Sequence, residues 1–307
     1  MNKDLLKFIA SLLLFGANGI VAAQISLPSH DIVVLRTLLG MLLLAALLLA
    51  RRDRNRVRPS ARSIALVSLS GMFLGISWLL LFEAYTLVGV GVSSVVYYCG
   101  PILVMALSPI LFSERLTRVR VLGFGVVLAG VALVNGNVFG GDLDPRGVAL
   151  SALAAVCMAA MIVFNKKAEG LDGLNNAFVQ IAAACATAIV GTAALHGVSL
   201  NVQPGDWAPI LLLGLVNTGL GCYLYFGTLG KLRTQTVAVC GYIEPIAAVV
   251  LSVLFLGEAM TATQVLGAVL VVAGAAGAEC SGQLRRAAGL LVRPTHPTWL
   301  GILRRAK

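Results

Sequence analysis

Apolar residues run along this chain in stretches of about 20, the length that a helix needs to cross the hydrocarbon core of a bilayer. Short segments with charged residues, glycine or proline separate the stretches. The pattern predicts an all-α integral membrane protein with ten transmembrane helices, called spans here and numbered in chain order. They lie at residues 5–26, 31–50, 63–86, 91–112, 118–136, 146–165, 175–196, 207–229, 235–256 and 262–279.

The spans form two copies of one pattern. Moving residues 242–274 back by 144 positions aligns them with residues 98–130 without a gap. Pro245 then falls on Pro101, and further upstream Gln180 falls on Arg36. The repeat predicts a first five-helix unit at residues 1–140, a second at 141–280 and a basic tail at 281–307.

Composition excludes a soluble protein. Only 12% of the residues are charged, against about a quarter in soluble proteins, and the mean hydropathy is +0.93. The net charge of +10 first suggests a nucleic-acid partner. However, 21 of the 23 lysines and arginines fall on one side of the predicted membrane. Because such segments face the cytoplasm, we predict cytoplasmic termini, a bacterial inner membrane and no nucleic-acid partner.

An odd number of spans in each copy has a geometric consequence. The second copy enters the membrane from the opposite side, so the two units become inverted repeats. Inverted repeats are typical of secondary transporters, because two similar halves can open in turn to either side of a shared site. The alternative is a duplication that serves helix packing alone.

Several short motifs carry a family resemblance. They are Phe15-Gly16-Ala17-Asn18, Leu35-Arg36, Glu244-Pro245, Phe112-Ser113-Glu114 and Leu256-Gly257-Glu258. In this order they resemble the EamA family of the drug/metabolite transporter superfamily, over residues 5–280 or so. The resemblance implies a ten-helix exporter or permease of small metabolites, with a central cavity lined mainly by spans one to four and six to nine.

Glu244 is the strongest candidate for a functional residue. It lies near the middle of span nine, where a charge costs roughly 2.5–3.5 kcal/mol on insertion scales. We interpret it as a cavity carboxylate that binds an amino group or carries a proton; alternatively, it is protonated and bonds a neighbouring helix. Its repeat counterpart is Gly100. The shared Pro101 and Pro245 are assigned to helix shape, as breaks in the hydrogen-bond ladder.

Arg36 and Glu83 form a second candidate group. Counting along spans two and three puts both in the outer part of the membrane, with Arg36 about 7 Å inside. Opposite charges at one depth are expected to pair, because each alone is costly there. We predict a structural or gating ion pair; alternatively, Arg36 binds a substrate carboxylate.

Other polar and aromatic side chains could line the cavity or simply pack between helices. Trp78 belongs to an aromatic stripe at helical spacing on span three. Phenol and amide groups interrupt other spans, and interhelical hydrogen bonds are their default use. These candidates are Tyr97, Tyr98, Tyr242, Asn18, Gln180 and Asn217.

The sequence favours transport over catalysis. No phosphate-binding loop for ATP is present, so the substrate gradient or protons would supply the energy. The three histidines lie in loops, at a span end or in the tail, and no aspartate lies in the interior of a span. We therefore predict no cofactor, metal site or enzyme activity. Small metabolites such as amino acids or amines are the expected substrates, and export the expected direction. The alternative cargo is a lipid-linked head group, and no oligomeric state is assigned.

Overall fold

A computed structural model describes most of both predicted units. The described residues are 3–51, 59–100, 143–168, 170–195, 201–229, 240–241, 243–257 and 260–274, with isolated positions between 103 and 133 and at 197 and 277. Most of predicted spans four and five, the start of span nine and the tail at 281–307 lie outside these residues.

All regular structure in the described residues is helical. The helices are α1 (Lys3–Gly16), α2 (Asn18–Ala22), α3 (Ser29–Ala50), α4 (Ala61–Tyr97), α5 (Pro145–Lys166), α6 (Gly173–Leu195), α7 (Trp207–Leu211), a first π-helix (Leu212–Leu220), α8 (Gly221–Leu229), α9 (Ile243–Leu251), a second π-helix (Ser252–Leu256) and α10 (Ala262–Gly274).

Six helical stretches in this described part are long and apolar enough to cross a membrane. They are Lys3–Ala22, Ser29–Ala50, Ala61–Tyr97, Pro145–Lys166, Gly173–Leu195 and Pro204–Thr228. Each overlaps a predicted span, and the protein is an integral membrane protein. The described residues do not test the full count of ten.

The 37-residue helix α4 contains a sharp change of direction at Gly89. The backbone of Gly89 has φ of +80°, a left-handed value that glycine adopts without steric cost. This residue lies in the interval between predicted spans three and four. The structure therefore agrees with the predicted division of this segment into two helices.

A cap and an ion pair join the end of α3 to the start of α6. The Asp172 carboxylate accepts a hydrogen bond of 2.9 Å from the backbone N–H of Asn175, in the first turn of α6. The Arg51 guanidinium, just after α3, donates to the same carboxylate at 2.9 Å.

Contacts between the two units occur in pairs that the 144-residue offset exchanges. A Cβ on Gly75 of α4 would lie 3.0 Å from the Thr187 Cβ on α6. Its counterpart Gly219 approaches Leu43 of α3, the counterpart of Thr187, at 2.7 Å from Cδ2. Such reciprocal contacts are what a two-fold axis between two similar units produces.

The reciprocal packing differs in one respect. In α4 the contacting glycines, Gly71 and Gly75, are four residues apart, whereas Gly214 and Gly219 in the second unit are five residues apart. The first π-helix spans this second pair, and a π turn closes i→i+5 instead of i→i+4 hydrogen bonds. The wider π turn accommodates the extra residue, so Gly214 and Gly219 both still contact α3.

Four glycines form close contacts between two segments near the ends of the two units. A Cβ on Gly130 would lie 2.6 Å from the Gly267 carbonyl oxygen, and one on Gly274 would lie 2.9 Å from the Gly123 carbonyl oxygen. The earlier residue of one segment thus meets the later residue of the other. These two counterpart segments therefore pack antiparallel.

Candidate substrate-binding site

A buried arginine lies where the two units meet. Arg36 on α3 is 1% exposed and belongs to a hydrogen-bonded group with residues of α2 and the first π-helix. Its Nε donates to Thr218 Oγ1 at 2.9 Å, and its Nη2 donates to Asn18 Oδ1 at 3.4 Å. Asn217 Nδ2 also donates to Asn18 Oδ1, at 3.2 Å. We call these four residues the Arg36 centre.

Two aromatic rings of α4 cover the guanidinium. Its central carbon lies 4.3 Å from the centroid of Trp78 and 4.9 Å from that of Phe82. These residues are one helical turn apart and share a face of α4. Cation–π contacts of this kind hold a guanidinium plane in a fixed orientation. Trp78 therefore packs on Arg36, which the aromatic stripe alone did not indicate.

The first π-helix supplies two members of the Arg36 centre. Thr218 Oγ1 donates to the carbonyl of Leu213, five residues earlier, at 2.8 Å, and so can accept from Arg36. Asn217 Nδ2 also donates to the Leu14 carbonyl on α1 at 2.9 Å. Asn217 was predicted as a site residue from the sequence, and Thr218 was not. Thr218 could have been recognised because it follows Asn217 directly inside an otherwise apolar stretch.

One nitrogen of Arg36 is unused. Within the described residues, Nη1 is buried and has no hydrogen-bond acceptor. A buried donor without an acceptor costs about 1–3 kcal/mol. An unsatisfied group of this kind calls for an explanation in the function of the site.

Glu244 occupies the first turn of α9, close to the same centre. The Tyr98 hydroxyl and the Arg36 guanidinium are both close enough to its carboxylate to interact with it electrostatically. The Glu244 side chain is partly exposed, although helices surround it. A Cβ on Gly16 would lie 2.9 Å from the Glu244 carbonyl oxygen, so α1 and α9 are closely packed here.

The two tyrosines at the end of α4 lie beside this carboxylate. Tyr97 and Tyr98 are each 6% exposed, with ring centroids 5.5 Å apart. Both rings pack in one cluster with Ala154 of α5, and the Ser77 hydroxyl of α4 donates to the Ala154 carbonyl at 2.8 Å. The two tyrosines therefore lie at the contact between α4 and α5, with Tyr98 close to Glu244.

Gln180 does not join this site. Its Oε1 accepts from Asn165 Nδ2, and Asn165 also bonds Asn176 at 3.0 Å, all within α5 and α6. The predicted set of polar residues is thus divided in two. Asn18 and Asn217 belong to the Arg36 centre, and Gln180 belongs to an amide cluster in the second unit.

The expected Arg36–Glu83 ion pair is wrong for this structure. Glu83 is exposed, and its carboxylate accepts from the hydroxyl of Ser29, whereas Arg36 bonds Thr218 and Asn18. The helical period gives the reason: Phe82 turns its ring toward Arg36, and the next residue projects about 100° away. Equal depth did not bring the two charges onto facing surfaces.

The remaining predicted positions are partly described. Pro245 lies in the first turn of α9, and the helix continues through it. The described helix therefore has no break at Pro245. Tyr242 and Pro101 lie outside the described residues.

A bundle of apolar helices from two related units, enclosing charged and amide side chains, defines the class as a membrane protein with a polar interior. A family model for the EamA-like transporter family matches residues 3–136 and again residues 145–278. The chain belongs to the EamA-like transporter family, and it carries two copies of the family's repeat.

Similar proteins point the same way. An uncharacterized transporter, YxxF of Bacillus subtilis, is 27% identical over 90% of this chain and 89% of its own. A probable amino-acid metabolite efflux pump of Salmonella typhimurium is 27% identical over 60% of this chain and 65% of its own. A probable terminal-alkyne amino-acid exporter of Streptantibioticus cattleyicolor is 25% identical over 71% and 73%.

The fold has a match among solved structures. One crystal structure of a protein has a TM-score of 0.66 at 21% identity, covering 91% of this chain and 97% of that one. The family and the names of the relatives point to a transporter.

Proposed function

We propose that this protein exports small metabolites that carry an amino group, with amino acids as the leading candidates and simple amines as the alternative. The observation that carries the proposal is Glu244, a partly exposed carboxylate among packed helices, close to Tyr98 and to Arg36. A carboxylate is retained at such a depth when it faces a wet cavity and has a task there. Relatives named as amino-acid efflux pumps and an exporter favour this substrate class.

Alternating access is the proposed mechanism. Reciprocal contacts between the units, and the antiparallel crossing of Gly123 and Gly130 with Gly274 and Gly267, support inverted repeats with a two-fold axis in the membrane plane. We infer ten helices, units at 1–140 and 141–280, and a basic tail at 281–307. Both termini would face the cytoplasm of a bacterial inner membrane.

Substrate binding is assigned to Glu244 and the residues around it. Tyr98 lies beside that carboxylate, and Tyr97 packs against Tyr98. Trp78 and Asn18 contact Arg36, and Asn217 is bonded to Asn18. Tyr242 stays a predicted lining residue and Pro101 a predicted helix break. Protons are the proposed coupling ion at Glu244.

A second cargo, a lipid-linked head group, has one observation in its favour. A cleft of about 470 Å³ lies between α4 and α5, with Glu83 and Arg146 as its charged residues. Leu87, Leu150 and Leu153 line the rest of it. A lipid could place its head group and chain against such a mixed surface.

Two matched variants separate these functions. In proteoliposomes containing the purified protein, Glu244→Gln should strongly reduce counterflow of labelled amino acids without abolishing it, because the carboxylate that would bind the amino group is lost. Glu83→Gln, which neutralises the exposed glutamate of the cleft, should leave that transport intact. If Glu83→Gln strongly reduces transport and Glu244→Gln does not, the central site is excluded and the cleft is favoured.

Wild type and these two variants also test proton coupling. Transport is measured from pH 5.5 to about 8.5, across the range in which a buried carboxyl group can titrate. Wild type and Glu83→Gln should share one profile, and Glu244→Gln should lose the pH-dependent part. Coinciding profiles for all three would remove the proton role of Glu244.

A further inference from the structure

Among the described residues, Arg36 has no partner of opposite charge within ion-pair distance. Its hydrogen-bond acceptors, Thr218 Oγ1 and Asn18 Oδ1, are neutral, and none of the described carboxylates forms an ion pair with it. Buried charges in membrane helices normally pair or mark a substrate pathway. Because the guanidinium is 1% exposed, solvent does not replace the missing anion.

The guanidinium is also held in a fixed orientation. Trp78 and Phe82 contact it at 4.3 and 4.9 Å, and Nε and Nη2 are fixed by hydrogen bonds, while Nη1 has no acceptor. A preorganised donor with unused capacity is characteristic of a ligand site, since ordering costs are already met before the ligand binds. Arginine suits a planar carboxylate in particular, because its N–H groups match the geometry of the two oxygens.

Glu244 is the complementary group. Its carboxylate lies within electrostatic range of Tyr98 and of Arg36, and the described ion pairs do not include one between Glu244 and Arg36. An opposed cation and anion that do not neutralise each other can bind a zwitterion between them. A simple amine would use only Glu244 and leave Nη1 of Arg36 unsatisfied.

Resting on the proposed transport function, we propose that Nη1 of Arg36 binds the carboxylate of the substrate while Glu244 binds its amino group. The protein therefore selects free amino acids over the corresponding amines. Arg36 is a substrate-binding residue in this assignment, and the alternative reading, a latch between α3 and the first π-helix, makes no distinction between the two kinds of cargo.

The test compares three pairs of compounds that differ by the carboxylate alone. They are leucine and 3-methylbutylamine, phenylalanine and 2-phenylethylamine, and lysine and cadaverine. The ratio of kcat/KM for each amino acid to that for its amine is measured by counterflow in proteoliposomes. The proteins are wild type, Arg36→Gln, Arg36→Lys and the control Gln180→Leu.

Wild type should prefer at least one amino acid to its amine by about tenfold to a hundredfold, the effect expected of one hydrogen bond to a charged group. Arg36→Gln should bring this ratio close to one by slowing amino-acid transport alone, and Arg36→Lys should give an intermediate ratio. Gln180→Leu should keep the wild-type ratio.

The outcomes separate this inference from the proposed function. Equal transport of amino acids and amines by wild type overturns the carboxylate assignment while leaving a transporter of amino compounds. A wild-type preference that Arg36→Gln and Arg36→Lys retain, with both cargoes slowed alike, assigns Arg36 to a latch and also overturns it. If wild type transports none of the six compounds, the proposed function and this inference fail together.

Discussion

Helix α4 and its counterpart in the second unit make equivalent contacts with different internal geometry. Gly71 and Gly75 meet α6 from a regular α-helix, and Gly214 and Gly219 meet α3 from a π-helix with one residue more. Thr218, which accepts from Arg36, and Asn217, which donates to Asn18, lie in that π-helix. The comparison teaches that packing was conserved between the units while chemistry was added to one of them.

The difference extends to the whole Arg36 centre. We moved the members of the Arg36 centre, and Trp78 beside it, by the 144-residue offset. The counterparts are apolar at every position except that of Arg36 itself, whose counterpart is Gln180. The counterparts of Asn18, Trp78, Asn217 and Thr218 are, in this order, Ile162, Cys222, Phe73 and Leu74. One side of the two-fold axis is polar and charged, and the other is apolar with a single amide cluster.

Glu244 shows the same asymmetry. A Cβ on its counterpart Gly100 would lie 2.8 Å from the Ala155 carbonyl oxygen and 3.0 Å from Met158 Sδ. The first unit therefore has no room for a side chain at the position where the second unit carries its carboxylate. A directional carrier can arise in this way from a symmetric framework.

The largest expected effect concerns the shared packing. Gly75→Leu should lower the free energy of unfolding by about 3 kcal/mol, because its Cβ would meet the Ala184 carbonyl oxygen at 2.7 Å. Gly219→Leu should cost less, since the Leu43 side chain that it meets can turn aside. Gly125→Leu is the control, because a Cβ there has no atom within 4 Å. Melting temperatures in detergent report all three, and equal losses for Gly75 and Gly125 would contradict the packing comparison.

The next effect separates the charged centre from its counterpart. Arg36→Leu should reduce amino-acid transport by about a hundredfold, or about 2.7 kcal/mol, because a charged substrate contact is lost. Gln180→Leu should change transport by less than about threefold, since Nε2 of Gln180 is already without an acceptor in the described structure. Counterflow rates at equal protein incorporation measure both. A larger loss for Gln180→Leu would reverse the assignment of the functional centre.

A smaller effect tests the π-helix contribution. Thr218→Val keeps the side-chain shape but removes the acceptor of Arg36 Nε, and should cost about 1 kcal/mol, seen as roughly fivefold weaker amino-acid transport. Thr187→Val is the matched control, because its hydroxyl donates to Ala183 of its own helix at 2.9 Å. Identical transport by the two variants would show that Thr218 does not position Arg36.

The smallest effect lies outside the membrane, where α6 is capped by Asp172 and its counterpart α3 begins after Pro28. Burial raises the pKa of Asp172, but the Asn175 N–H and the Arg51 guanidinium outweigh it and hold the pKa below its usual value. Both partners of this ion pair are about two-fifths exposed, so screening limits the gain to less than about 1 kcal/mol.

The sign of this pH effect follows from linkage. A depressed carboxyl pKa adds stability above about pH 4 and loses it as the pH falls through the folded-state pKa. The melting temperature of wild type should therefore exceed that of Asp172→Asn at pH 7, and the gap should close toward pH 3. A gap that widens on acidification would contradict the ion-pair account.

Sequence patterns were sufficient for the framework. Apolar periodicity predicted the described helices, the repeat predicted the reciprocal contacts, and the interval at 87–90 anticipated the turn at Gly89. These features depend on segment length and local backbone preference, which a sequence states directly. Arg36, Asn18, Asn217, Tyr98 and Glu244 could also be singled out as candidates, because polar groups inside spans are costly and therefore informative.

The arrangement of those residues was not predictable in the same way. Depth along a helix placed Arg36 beside Glu83, but rotation about the axis of α4 decides which side chain faces inward. Gln180 was placed with Asn18 and Asn217 among the cavity candidates, but its amide bonds Asn165 instead, and a repeat position alone does not tell which side chains meet. Thr218 was missed because the π-helix depends on packing against α3, which no local pattern records.

The five-residue interval between Gly214 and Gly219 bears on how such carriers can be engineered. A duplicated protein that gains one residue inside a helix, yet keeps the glycine contacts on either side of it, acquires a new inward-facing surface without a change in the surrounding packing. Deleting or inserting one residue in the first π-helix is thus a route to changing what the carrier recognises while the contacts between its two units are kept.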